Sequence, residues 1–148
     1  DYKQRGTHDC NQYFQTSAAL GLPDAERAEG YRRMVFNVLA SNCDDHTKNL
    51  SFILDKGGQW QLAPAYDVTH AYNPNGEWTY QHLMSVNGKF RNINRADLES
   101  VGDRYLVPGY RDIIRQVSAA LARWPEFAGA AEVPDNEMLR IQTDFPVV

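Results

Sequence analysis

The 148-residue chain is 43% hydrophobic, enough for one apolar core but too short for a second full domain, so residues 1–148 are read as one domain. With 15 Lys+Arg against 19 Asp+Glu the formal net charge is -4, and no broad basic footprint for direct nucleic-acid binding is expected. Cys10 and Cys43 stand far apart in no CxxC or Cys/His spacing, which excludes a sequence-coded zinc site or disulfide framework and makes a reducing, cytoplasmic setting the expectation. No apolar run is long enough to span a membrane. The polar start Asp1-Tyr2-Lys3-Gln4-Arg5 shows no signal peptide and, lacking Met, suggests a piece of a longer protein.

In chain order, residues 9–20 carry Tyr13, Phe14, Ala18 and Leu20 and then meet Gly21-Leu22-Pro23, the pattern of a short helix stopped by Gly and Pro. From Asp24 to about Cys43, Tyr31, Met34, Val35, Val38 and Leu39 recur at i, i+3, i+4, i+7 and i+8. Asp24 and Glu26 suit the positive end of that helix, the clearest core element. Leu50 to Leu54 is a short apolar run, Asp55-Lys56-Gly57-Gly58 has turn chemistry, and Trp60 and Leu62 alternate with Gln59 and Gln61, which together predict a hairpin.

After Pro64 a stretch rich in Tyr, His, Asn and Gly runs to about Asn92 with little periodicity and reads as an irregular loop. Asn94 is placed to cap a helix carrying Leu98, Val101 and Tyr105. A longer helix is expected after Pro108, with Tyr110, Ile113, Ile114, Val117, Leu121 and Trp124. Signals beyond Pro125 are weak, with one more helix over 135–143. The fold class is therefore mainly α with a small β-hairpin.

The densest polar cluster, Asn42 to Asn49, lies between the strongest helix and the hairpin, where a rigid scaffold on either side can hold several reactive groups on one loop. Past the hairpin, Leu62-Ala63-Pro64-Ala65-Tyr66-Asp67 presents another carboxylate that the fold-back could return to the same side. Nucleotide-bound Mg²⁺ takes one or two protein carboxylate or amide oxygens, with phosphates and water supplying the rest, and Asn49 plus Asp67 would meet that need. Phosphoryl transfer also requires a carboxylate to orient the acceptor hydroxyl and take its proton, and Asp44, five residues before Asn49, fits.

Asp44-Asp45-His46-Thr47-Lys48-Asn49, followed by Leu62 to Asp67 and then Ser85-Val86-Asn87-Gly88-Lys89, closely resembles the pattern of HipA-type serine/threonine protein kinases, from the first helix to about Trp124. The resemblance implies the C-terminal, catalytic-loop lobe of a kinase-like fold, with Asp44 as catalytic base and Asn49 and Asp67 as Mg²⁺ ligands. It places His46 and Lys48 as charged neighbours of the transferred phosphate, with Lys48, Asn49 and Asp67 contacting the Mg-ATP cofactor. It further implies ATP as phosphoryl donor, a protein Ser/Thr substrate, and a toxin-like bacterial kinase, linked to growth arrest and persistence and restrained by a DNA-binding antitoxin. The chain departs from general protein kinases, with Asn42-Cys43 before the base, His46 two residues after it, and Val68-Thr69 after Asp67. It contains no GxGxxG and no Val-Ala-Ile-Lys, so the nucleotide-covering N-terminal lobe is absent from these residues and little activity is expected of them alone.

Blander readings stand beside these. Asp44 and Asp45 suit ordinary loops, and the spacing to Asn49 selects Asp44 as base and leaves Asp45 as a structural partner. His46 could make a structural hydrogen bond, Lys48 could be solvated, and Asn87-Gly88-Lys89 reads as a turn. His8, His70 and His82 have no metal-ligand spacing, and Trp60, Trp78 and Trp124 read as packing aromatics. Two other functions compete: a non-catalytic module that binds a regulatory partner, and a metal-dependent phosphohydrolase using Asp44, Asp45, His46 and Asp67, which would bind metal without nucleotide.

Overall fold

A computed structural model describes residues 6–148; the polar start at 1–5 lies outside the described residues. A two-residue strand β1 (His8–Asp9) leads into α1 (Asn11–Ala19). Gly21 takes a left-handed φ of +69°, and Gly21 and Leu22 N–H groups bond back to Ala18 and Ser17, which closes α1 as the Gly-Leu-Pro signal predicts.

Helix α2 (Asp24–Leu39) buries Tyr31, Met34, Val35, Val38 and Leu39, the predicted stripe. It approaches α1 closely at Gly30, where an added Cβ would sit 2.0 Å from the Tyr13 ring. The helix ends at Leu39, four residues before the expected end at Cys43. Ser41 adopts φ +52°, and the Ser41 and Asn42 N–H groups bond to the Val38 and Asn37 carbonyls at 3.4 and 2.9 Å. This is the hydrogen-bond pattern usually built around glycine, here with serine at the left-handed position.

A 3-10 turn at Thr47–Asn49 precedes the antiparallel hairpin of β2 (Phe52–Leu54) and β3 (Trp60–Leu62), in which Phe52 faces Leu62 and Leu54 faces Trp60. In its turn Asp55 Oδ1 accepts from the Gly57 and Gln59 N–H groups at 2.7 and 2.8 Å. The inner face sets Phe52 against Tyr13, while Ile53, Leu54 and Trp60 are exposed. Trp60 and Trp78, read as core or loop-packing aromatics, are 37% and 44% exposed and lie outside the core.

The loop over 63–93 contains one strand that periodicity does not reveal. β4 (Met84–Ser85) pairs in parallel with β1, His8 opposite Met84 and Asp9 opposite Ser85. The Asn87-Gly88 turn has φ values of +52° and +77° and is closed by two hydrogen bonds between Val86 and Lys89, in agreement with the turn reading.

Helix α3 (Arg95–Arg104) opens on a capping box in which Asn94 and Asp97 bond each other's backbone N–H. Helix α4 (Tyr110–Ala122) buries Tyr110, Ile113, Ile114 and Val117 and packs on α2. Trp124 does not continue α4; it starts α5 (Trp124–Ala130), because Pro125 can stand in a first helical turn but not in a helix interior. Helix α6 (Asp135–Thr143) coincides with the predicted segment. The core is one cluster centred on Tyr31, Val35, Leu98 and Ile114, with the Tyr31 hydroxyl donating to the Leu98 carbonyl at 2.8 Å. The molecule is mainly helical with a small hairpin, as the composition and periodicity imply. Among the described residues no helix is long and apolar enough to cross a membrane.

Candidate functional site

The loop that follows α2 leaves the helix through left-handed Ser41 and runs beside the segment after β3. The Cys43 N–H donates to the Ala71 carbonyl and the Ala71 N–H to the Ser41 carbonyl, both at 3.2 Å. Asn42 is buried, its amide nitrogen donating to Asn37 Oδ1 at 3.0 Å. Its Oδ1 faces no donor among the described residues.

Asp44 and Asp45 then part in opposite directions. Asp45 is only 6% exposed. One of its oxygens accepts from the Leu83 and Met84 N–H groups at 2.7 and 3.3 Å, and the other lies 2.9 Å from His82 Nδ1. Burial by itself pushes the His82 imidazolium pKa down, but the Asp45 charge, its hydrogen bond and the adjacent Cys43 thiol more than reverse this and raise it to about 10. His82 is therefore a cation at neutral pH, paired with a carboxylate. Asp44, by contrast, has a half-exposed side chain, 3.9 Å from His46 Nε2. Of the two carboxylates, the exposed one is open to an incoming hydroxyl, and the buried one is consumed in holding the loop.

Asn49 closes the 3-10 turn and donates its amide N–H to the Asp44 carbonyl at 2.9 Å. That bond consumes the amide nitrogen and leaves the amide oxygen as the group available to a cation. Asp67 is exposed and sits at φ +53°, a left-handed conformation that Asp tolerates better than most side chains and that recurs at functional sites. The neighbouring Tyr66 hydroxyl donates to the Lys48 carbonyl, tying the segment of Asp67 to the loop of Asn49. Arg33 pins the exit of β3 by donating to the Ala63 carbonyl at 2.8 Å, while Glu29 accepts from its Nε at the same distance.

Of the residues selected from the sequence, His46, Asn49 and Asp67 line one pocket together with Asp45, Asn42 and Arg33. Lys48 is exposed and, like Asp44, does not line that pocket. Cys10, on the pocket's inner wall, has its thiol pKa pushed up by burial first and by Asp45 and Asp9 next, which makes it a packing group and not a nucleophile. Among the described residues no three His, Cys, Asp or Glu side chains converge on a metal-holding group. A cation here would rest on the Asn49 amide and Asp67 carboxylate and take its other ligands from a phosphate and water, a set that suits nucleotide-bound Mg²⁺.

His82, read from the sequence as having no assigned function, is the buried partner of Asp45; 37 residues separate them and no local spacing signals the pair. His70 likewise meets Asp144, 74 residues on. Lys89 and Asn87 both bind Asp97, at 2.8 and 3.1 Å, so the polar turn fastens the start of α3 and stays away from the pocket.

Comparison with curated proteins and with solved structures yields no match. The family of HipA-like C-terminal domains matches residues 1–124, well over half of the chain and the whole of the region that builds the pocket. On that match, and with the motif segments in the order described, this chain belongs to the family of HipA-like C-terminal domains.

Proposed function

We propose that this domain is the catalytic-loop lobe of a HipA-like serine/threonine protein kinase, which transfers the γ-phosphoryl of ATP to a protein Ser or Thr hydroxyl once a nucleotide-covering lobe stands over the pocket. The observation that carries this reading is that Asn49 and Asp67, on opposite sides of the hairpin, line one pocket. Asp44 stands half-exposed on the same loop, its backbone carbonyl held by the Asn49 amide. Asp44 orients the acceptor hydroxyl and receives its proton, and Asn49 and Asp67 hold the cation. Mg²⁺ held by Asn49 and Asp67 would supply positive charge against the negative charge of the reacting phosphate. His46, which lines the pocket, and Lys48, exposed on the same loop, are the neighbours of the transferred group on this reading. The phosphohydrolase alternative would use Asp45 as a ligand, and the Asp45 carboxylate is already engaged by His82 and the Leu83 and Met84 N–H groups.

On this reading the partners are a protein substrate and a DNA-binding, antitoxin-like inhibitor, with the kinase in the cytoplasm and in a toxin-antitoxin setting. The acidic balance of the chain gives it no broad surface for DNA of its own. The test is calorimetric titration of Mg-ATP into this chain, alone and with the upstream lobe supplied as a separate polypeptide, using Asp67→Ala as control. Binding that requires the lobe and disappears in Asp67→Ala is the expected result. If an associated lobe brings no ATP binding, the catalytic reading fails and the domain is a module for binding a regulatory partner.

A further inference from the structure

The residues after Trp124 lie beyond the stretch matched to the family, yet they return to the site. Asp144, the residue after α6, touches both segments that carry the proposed catalytic groups. Its backbone carbonyl accepts from the Ser41 hydroxyl at 2.6 Å. Its carboxylate lies 3.0 Å from His70 Nε2 and 3.5 Å from Arg140 Nη1. Ser41 is the left-handed residue that launches the loop of Asp44, and His70 stands three residues after Asp67.

Between themselves these two segments share the pair of 3.2 Å backbone bonds through Ala71, at the long end of the usual range. The Tyr66 hydroxyl also ties them at Lys48, and the Asp144 contacts add a further bridge at the start of the loop. The bridge has a firm base: Trp124 Nε1 donates to the Met138 carbonyl at 3.0 Å, the Trp124 and Phe145 rings meet edge to face at 5.9 Å, and Val148 packs against the core. The His70 and Asp144 side chains are 14% and 18% exposed, so their pairing is shielded from solvent screening.

We infer that Asp144 is a positioning residue that holds the Asp67 segment in register with the Asp44 loop. Its consequence for phosphoryl transfer rests on the kinase reading, whereas the register itself does not. The test is residue-resolved amide hydrogen exchange on the 148-residue chain, comparing Asp144→Ala with Asp144→Asn, which keeps an acceptor for His70. Asp144→Ala should speed exchange at Cys43 and Ala71 about tenfold and leave Val35 and Ile114 unchanged, and Asp144→Asn should restore most of the protection. Unchanged exchange at Cys43 and Ala71 overturns the proposal, and so does uniform acceleration across the core in both variants, which would make Asp144 a residue of general stability. In the two-lobed kinase, Asp144→Ala should lower kcat about tenfold with the KM for the acceptor unchanged. Absence of phosphotransfer in the unmodified kinase would count against the kinase reading while leaving the exchange result standing.

Discussion

Between α2 and α4 the contact is made by side chains such as Val35, Val38, Ile114 and Val117, all at most 5% exposed and with no polar partner to satisfy. A few residues on, Ser41, Asn42, Cys43 and Asp45 are about as deeply buried, yet they are held by directed bonds: Asn42 to Asn37, Ser41 to Asp144, and Asp45 to His82 and two backbone N–H groups. The first region tolerates small shifts because apolar burial has no direction. The second fixes where each atom sits, because a buried polar group that loses its partner costs more than a methylene. The loop that carries Asp44 and Asn49 is built on the second kind of support.

The largest effect expected is at Asp45. Asp45→Ala would strand the His82 cation and two backbone donors, costing about 3–5 kcal/mol, in the range of about 2–5 kcal/mol expected for Ile114→Ala in the helical layer. Denaturant titration of the two variants measures this, and a cost below about 1 kcal/mol for Asp45→Ala would break the comparison.

A second effect, graded with pH, separates the regions. The His82 pKa is raised from 6.5 to about 10, so its share of stability is complete below pH 6.5 and declines as pH rises toward 10. For a single group the slope is at most about 1.4 kcal/mol per pH unit. Unfolding free energies taken between pH 6.5 and 10 should fall in the unmodified chain, and His82→Gln should flatten that fall. An equal slope in both would show that the pair does not titrate as described.

The smallest stability effect is expected one residue away from the largest. Asp44→Asn should leave stability within about 0.5 kcal/mol, since the side chain is half-exposed and its contact with His46, at 3.9 Å, is long. In the two-lobed kinase the same change should lower phosphotransfer by about 10²-fold or more. The pair of adjacent aspartates thus tests, at neighbouring positions, a group that holds the loop against one that acts from it.

Much of this was legible in the residues. The 3.6-residue stripe of α2, the Asn94 cap, the hairpin alternation and the Asp44-to-Asn49 spacing are local patterns whose physics operates within a few residues. The early end of α2 was not legible, because serine at a left-handed helix stop carries none of the signal that glycine gives α1. Nor was β4, a two-residue strand whose pairing with His8–Asp9 spans about half of the chain.

By itself, then, the sequence determined that α1 to α4 and α6 exist, the hairpin, the family and which carboxylate has the spacing of a base, but not α5. Tertiary structure alone decided that Asp45 is claimed by His82 and that Asp144 reaches back to Ser41 across 103 positions. The reason is physical: these are contacts between groups distant in the chain, made when the apolar core closes, and nothing in the spacing of either partner anticipates the other.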